Sequence, residues 1–331
     1  MFFGKKKTEA TPAAPATPPA PAMDEAYPHL SAERANAMRR QVSEAIRHEG
    51  GEPDFLNPQQ VEVRVDGELT GTYGLDNLSR QLSHIESEEE AAEEIITFVR
   101  GVMRHSDMED LGSADFYRQL KLRLAPSYQL EQLSAENPPA GLSEFVPGII
   151  SYLVNDAPTA VETFSEEIAA EHDTIDELIR FGRENLWKEL LGARDNVAEI
   201  PLETAPAAPL HVVESDSFFI SSAPIFGAEI LKQWFPTLDQ RRGVLLAFPH
   251  RHVLLAREVT TGTDLMQAIT GMAGIAAGQF ETQPGHLSPA VHLLYDGELT
   301  PFTFLQEGED GETSIGIAPS EYLMDLINVE D

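Results

Sequence analysis

The chain has 331 residues, 42% of them hydrophobic and 24% charged, a globular composition with enough length to bury a sizeable core. It contains no cysteine, which excludes disulfides, thiolate zinc sites, iron–sulfur clusters and cysteine nucleophiles, and points to a reducing cytosol. The formal charge is −32, of which the first 22 residues carry +2 (Lys5, Lys6 and Lys7 against Glu9), leaving −34 on the rest. A surface this acidic repels phosphate backbones and anionic lipid, so neither nucleic acid nor a membrane is expected as a partner, whereas an unidentified protein partner is compatible with it.

Residues 1–26 open as MFFGKKKTEATPAAPATPPAPAM and are too poor in large apolar groups to fold, so a disordered Ala/Pro-rich tail is expected there. The two phenylalanines beside the lysines are too short an apolar run for a secretory signal. Downstream, SAERANAMRRQVSEAIRHEGG has helical spacing, an N-cap at Ser31 and a stop at Gly50-Gly51. VEVRVDGELTGTYGL alternates on both sides of Asp66-Gly67, a dipeptide that supplies the positive φ angles of a two-residue hairpin turn. DNLSRQLSHI and SEEEAAEEIITFVRGVMRHS read as helices, the second with acids in its first turn to suit the macrodipole.

LKLRLAP, EFVPGIISYLV and AVETFS read as strands, and SEEIAAEHDTIDELIRFGRENLWKELL as one short and one long helix. The proline-rich IPLETAPAAPLH marks a boundary near 201–210. Strands are then expected at HVVE and SFFISSA, a helix through IFGAEILKQWF, a hairpin at 243–257, and a helix at DLMQAITGMAGIAAGQF. A hairpin in AVHLLYDGELTPFTFLQ and a helix PSEYLMDLIN close the chain. The pentapeptide DGELT occurs at 66–70 and again at 296–300; good turn chemistry explains the repeat as well as duplication does. The expected fold is α+β: mainly antiparallel sheets built from hairpins with packed helices, residues 27–331 forming a single two-lobed domain behind the tail.

GELTGTYGLDNL, ISYLVND, FGRENLWKEL, FFISSAPIFGAEIL, LLAFPHRHVLLARE and LLYDGELTPFTFL follow one another in a familiar order. On these stretches, from about residue 40 to residue 310, the chain resembles the YtpQ-like family of uncharacterised bacterial proteins, a domain-of-unknown-function family. The resemblance implies a cytoplasmic bacterial protein of α+β type and brings no catalytic residues with it. Members of that family read roughly Pro-His/Asn-x-Asp-x-Leu at the hairpin of residues 243–257. Pro249 and His250 fit that pattern, and His252 stands where an acid is usual.

That hairpin carries the candidate polar site: His250, Arg251 and His252, the one His-x-His pair in the chain. Residues two apart on a strand share a face, so the imidazoles would bind zinc if a third and fourth ligand joined them, with His211, His292 and Glu258 the nearest in kind. Turn placement favours a hairpin tip instead. Glu167, Glu171 and His172 read as a helix end before a start at Asp173-Thr174 rather than a cation site. Gly271, Gly274 and Gly278 sit inside a helix, where small residues would permit close packing rather than dinucleotide binding. Trp187, Trp234 and Phe235 read as core. No Walker A, His-Glu-x-x-His or Gly-x-Ser-x-Gly pattern occurs, and no cofactor or metal is expected. A non-catalytic binding or adaptor module is the favoured function; the alternative is a metal-dependent hydrolase using His250 and His252.

Overall fold

In the computed structural model the described residues are 22–103, 113–131, 138–157, 160–192, 197–307 and 313–329. Most of the expected tail, residues 1–21, lies outside them. Residues 22–26, expected in that tail, are tied down: the Ala32 amide donates to the Ala22 carbonyl at 2.8 Å, and the Asp24 carboxylate accepts from Ala26, Tyr27 and Arg39. These residues are held because Asp24 makes a local turn and an ion pair, and Tyr27 behind it is fully buried.

Three hydrophobic cores organise the chain. The first lies between 27 and 103, where α1 (Ala32–His48), α2 (Asp76–His84) and α3 (Glu88–Met103) cover one face of a sheet of order β1-β2-β3 (Glu52–Asn57, Gln60–Val65, Glu68–Gly74). Ala35, Met38, Val42 and Ile46 make the buried stripe of α1, and Val61 and Val63 alternate with polar residues on β2. Ser31 caps α1 as expected, its hydroxyl accepting from the Arg34 amide.

The second core starts with α4 (Ser113–Gln119) and β4 (Leu120–Pro126). Around it are β5 (Ser143–Val146), β6 (Ile149–Ala157), β7 (Ala160–Thr163), α5 (Glu166–His172) and α6 (Ile175–Gly192). It does not stop at 201–210. Those residues join β8 (Val197–Ile200) to β9 (Leu210–Glu214) within one antiparallel sheet of order β13-β12-β10-β11-β9-β8. Its other strands are β10 (Val244–Ala247), β11 (Val253–Glu258), β12 (Val291–Tyr295) and β13 (Glu298–Pro301).

This sheet is covered on both faces. Val244, Leu246, Leu254 and Ala256 join the core that also holds β4 and β6, and α7 (Ala228–Trp234) packs there, with Trp234 and Phe235 buried. Leu245, Ala247, Val253 and Leu255 face α8 (Gly262–Thr282), the third core. Two-sided burial explains why β10 and β11 read as unbroken apolar runs. The segment β14 (Thr303–Glu307) and β15 (Thr313–Ile317) pair as a separate two-stranded sheet, and α9 (Glu321–Ile327) packs on α8.

Both Asp-Gly turns form as expected, with φ near +51° at Asp66 and Asp296 and above +80° at Gly67 and Gly297. They sit in different sheets, one flanked by β2 and β3 and the other by β12 and β13.

Two expectations are corrected. SFFISSA is not a strand: residues Ile220–Phe226 form a 3-10 helix. Ser215 and Ser217 hydroxyls accept from the amides of Ser217 and Phe219, a local alternative to strand pairing. Gly271, Gly274 and Gly278 permit no close approach, because a Cβ at each would meet open space. The packed face of α8 is Leu265, Ala268, Ile269, Met272, Ala273 and Ala276. Among the described residues no helix is long and apolar enough to cross a membrane.

The proline-rich 201–210 segment is held by a fully buried arginine. Arg257 on β11 donates to the carbonyls of Ala205 and Ala208 and to the Asp264 carboxylate at 2.6 Å, joining this segment to the start of α8. Replacing Asp264 by Ala leaves that guanidinium without a counter-charge in the core. A loss of roughly 3 kcal/mol is expected in chemical denaturation, and a loss below about 1 kcal/mol would contradict a pinning role.

Candidate functional site

Residues 249–252 carry the chain from β10 into β11 as the expected hairpin turn, closed by the Val253 amide on the His250 carbonyl. Backbone bonds also strap them to three other segments. The Arg251 amide donates to Gly285 and the Leu287 amide to Pro249, the Ser221 amide to Arg251, and the Ser215 amide to the His252 carbonyl. Gly285 in turn donates its amide to the Asn77 side chain of α2 at 2.7 Å, which brings the N-terminal core to the same place. Arg80 of α2 also donates to the Glu281 carbonyl at the end of α8.

The three predicted residues are adjacent, but the histidines do not share a metal position. The His252 backbone amide donates to His250 Nδ1 at 3.4 Å, so the neutral His250 ring carries its proton on Nε2. His252 Nδ1 lies 3.1 and 3.2 Å from the Ser215 and Ser217 carbonyls, which only accept, so Nδ1 is the protonated nitrogen. Its Nε2 accepts from Arg251 Nε at 2.9 Å. No ring nitrogen is left with a lone pair aimed at a common point, and the ring centroids stand 6.1 Å apart.

His286 borders the same turn, bridged to His250, but the imidazoles weighed as further ligands are elsewhere. His292 and His211 fall in one row across the sheet, opposite Leu246 on β10 and Ala256 on β11. Three strand spacings separate them by about 14 Å. His292 stacks on Phe248 and His211 lies against Phe235. His172 ends α5, stacked on Phe116, while Thr174 caps α6 and Asp176 and Glu177 fill its first turn, as expected. Among the described residues no three His, Asp or Glu side chains are grouped to hold a metal ion.

Arg251 is the functional group that the strap presents. Its stem lies against Gly285, where a Cβ would come within 2.5 Å of Arg251 Cδ, and its guanidinium stacks 4.3 Å over Phe218. With Nε engaged by His252, the two terminal Nη groups have no hydrogen-bond acceptor among the described residues. Arg251 borders a narrow cleft lined also by Asn77, Arg123, Gln129, Ser221 and His286, with Leu124, Ala125 and Pro126 of β4, Gly285 and Leu287. Arg123 comes from β4, which the Leu124 amide bonds to the Ser222 hydroxyl of the 3-10 helix. Among the described residues no carboxylate lines the cleft.

Electrostatics follow from this placement. Burial, then the like charge of Arg123, holds the Arg251 pKa down to about 10, with Glu94 pulling the other way; the group stays charged at neutral pH. Burial, then the charges of His252 and Arg251, brings His250 down to about 4, and burial brings His292 to about 4. His252 is lowered by burial and by Arg251. The cleft therefore offers fixed donors and positive charge beside neutral imidazoles.

The roles of Arg123 and Asn77 were not visible in the sequence, since nothing in LKLRLAP or DNLSRQL marks one side chain as turned toward residue 251. No family model, curated protein or solved structure matches the chain.

Two consequences are measurable. A histidine with a depressed folded pKa contributes stability that is complete above its unfolded value, about 6.5, and is lost as pH falls toward the folded value. His250 and His292 should therefore stay neutral in imidazole NMR titrations down to about pH 5 and weaken the fold from about pH 6.5 to about pH 4; midpoints near 6.5 would contradict their burial. Gly285→Ala puts a Cβ at φ +69° and against the Arg251 stem. It should lower unfolding free energy by about 1–2 kcal/mol, and an unchanged urea midpoint would show that the stem is not held there.

Proposed function

We propose that the protein is a non-catalytic binding module whose ligand seat is the cleft between Asn77, Arg123, Ser221 and Arg251. One observation carries this reading: the strapped 249–252 turn uses both ring nitrogens of His252 and the backbone of Arg251 to hold one guanidinium at a cleft. Side chains held this way present donors. A general base or a metal ligand needs a free lone pair, and the two histidines of the turn keep none for that purpose.

The resemblance to the YtpQ-like family is compatible with the same role for position 252. An acid there would accept the Arg251 Nε–H as the His252 imidazole does, so the acceptor would be kept while the residue changes. A cytoplasmic bacterial setting belongs to this reading as well.

The test is equilibrium dialysis of the full chain against a small-molecule extract of its source cells, with Arg251→Gln in parallel. Retention of a compound class by the native chain and its release by the variant is the expected result. Retention that ignores the substitution, or turnover of the retained compound, would overturn the reading. Stoichiometric zinc in elemental analysis, lost in His250→Ala, would favour the hydrolase instead.

A further inference from the structure

Resting on the binding-module reading, we infer that the cleft clamps one oxyanion group, the carboxylate or phosphoryl end of a small molecule, between the guanidinium groups of Arg123 and Arg251.

The first argument is the distribution of charge. The chain holds 55 acidic residues against 23 lysines and arginines, so carboxylates are plentiful for its cations to pair with. The buried cations have theirs: Lys121 meets Asp156 and Glu189, and Arg257 meets Asp264. Half-buried Arg39 meets Asp24. Arg123 and Arg251 differ. Both line one cleft, and neither makes an ion pair among the described residues. Glu94 acts on Arg251 only through its field. Two half-buried like charges facing a common space repel each other, and an anion between them removes that cost.

The second argument is geometry. The Arg251 fork is fixed at its Nε by His252, at its face by Phe218 and along its stem by Gly285. Its free edge is the pair of Nη groups, and a planar pair of donors matches the two oxygens of a carboxylate or phosphoryl group. Ser221, nearly fully buried, and Asn77 and Gln129 add neutral polar groups to the wall. Six polar side chains in the lining outnumber its apolar residues Leu124, Ala125, Pro126 and Leu287, which argues against a hydrophobic ligand.

Size selects the part of the ligand that enters. Only about 10 Å³ of the closed cleft is open to a water-sized sphere, about one water's worth. One oxyanion oxygen fits that limit, with the rest of the charged group and of the molecule at and outside the mouth. The chemistry shared by carboxylate and phosphoryl groups is what the site recognises, and the probes below separate them.

The experiment is isothermal titration of the full chain at low ionic strength with inorganic phosphate and with succinate, chloride serving as the control. Saturable one-to-one binding of phosphate or succinate is expected, weakened by about tenfold to a hundredfold in Arg251→Gln and in Arg123→Gln. The surface variant Arg180→Gln should bind like the native chain. Which probe binds more tightly identifies the phosphoryl or the carboxylate source.

The Arg123 side chain makes no hydrogen bond among the described residues, so Arg123→Gln separates ligand binding from folding. Without anion it should melt at or above the native temperature, because a repulsion is gone, and it should lose the stabilisation that phosphate or succinate confers on the native chain. A melting temperature lowered in the absence of anion would make Arg123 structural and overturn the clamp. Binding retained by the double variant, or no saturable heat with either probe, would overturn it too. If both probes fail while dialysis still retains an uncharged or cationic compound through Arg251, the clamp falls and the binding module stands. If nothing is retained through Arg251, both fall.

Discussion

The backbone strap at residues 249–252 is the constraint on which the rest of the site depends. A turn with Arg251 and His252 at its corner closes β10 onto β11, yet the tip is not left in solvent: its amides and carbonyls pair with residues 215, 221, 285 and 287. Those partners come from the ends of β9, the 3-10 helix and the segment between α8 and β12. Because Gly285 also bonds Asn77, the strap is where the N-terminal core meets the remainder of the molecule. Arg251, Ser221 and Gly285 in the cleft take their positions from this set of backbone bonds, and Arg123 from the β4–β6 ladder.

The same constraint decides what the His-x-His pair does. In an open hairpin tip both imidazoles would titrate near their ordinary value and keep a lone pair for a ligand. Strapped down, His250 accepts from backbone and is buried beside two potential like charges, and His252 becomes the acceptor that orients Arg251. Chemistry passes from the two histidines to the arginine between them. In a chain of net charge −32, that guanidinium lines a cleft without an ion pair among the described residues.

Much of the secondary structure was legible because it rests on short-range physics. Ser31 capped α1, the Asp-Gly dipeptides made their turns, and the apolar stripe of α1 found its core. The failures have long-range causes. SFFISSA has strand composition, yet serine-to-backbone bonds and the neighbouring strap turn it into a 3-10 helix. The proline-rich 201–210 segment looks like a boundary, yet Arg257, 47 or more residues further on, ties it into a sheet. The glycines of α8 lie on its open side, which their spacing alone does not reveal.

By itself, then, the sequence determined the α+β class, the antiparallel hairpins, the capped helices, the acidic surface and the absence of thiol chemistry. Each of these follows from composition or from interactions within a few residues. Tertiary structure alone decided that β10 and β11 are buried on both faces, that the imidazoles of residues 250 and 252 are engaged, and that Arg123 and Arg251 share a cleft. Those outcomes depend on which distant backbone amides find which carbonyls, and a pairing between residues 251 and 285 leaves no local pattern in the chain.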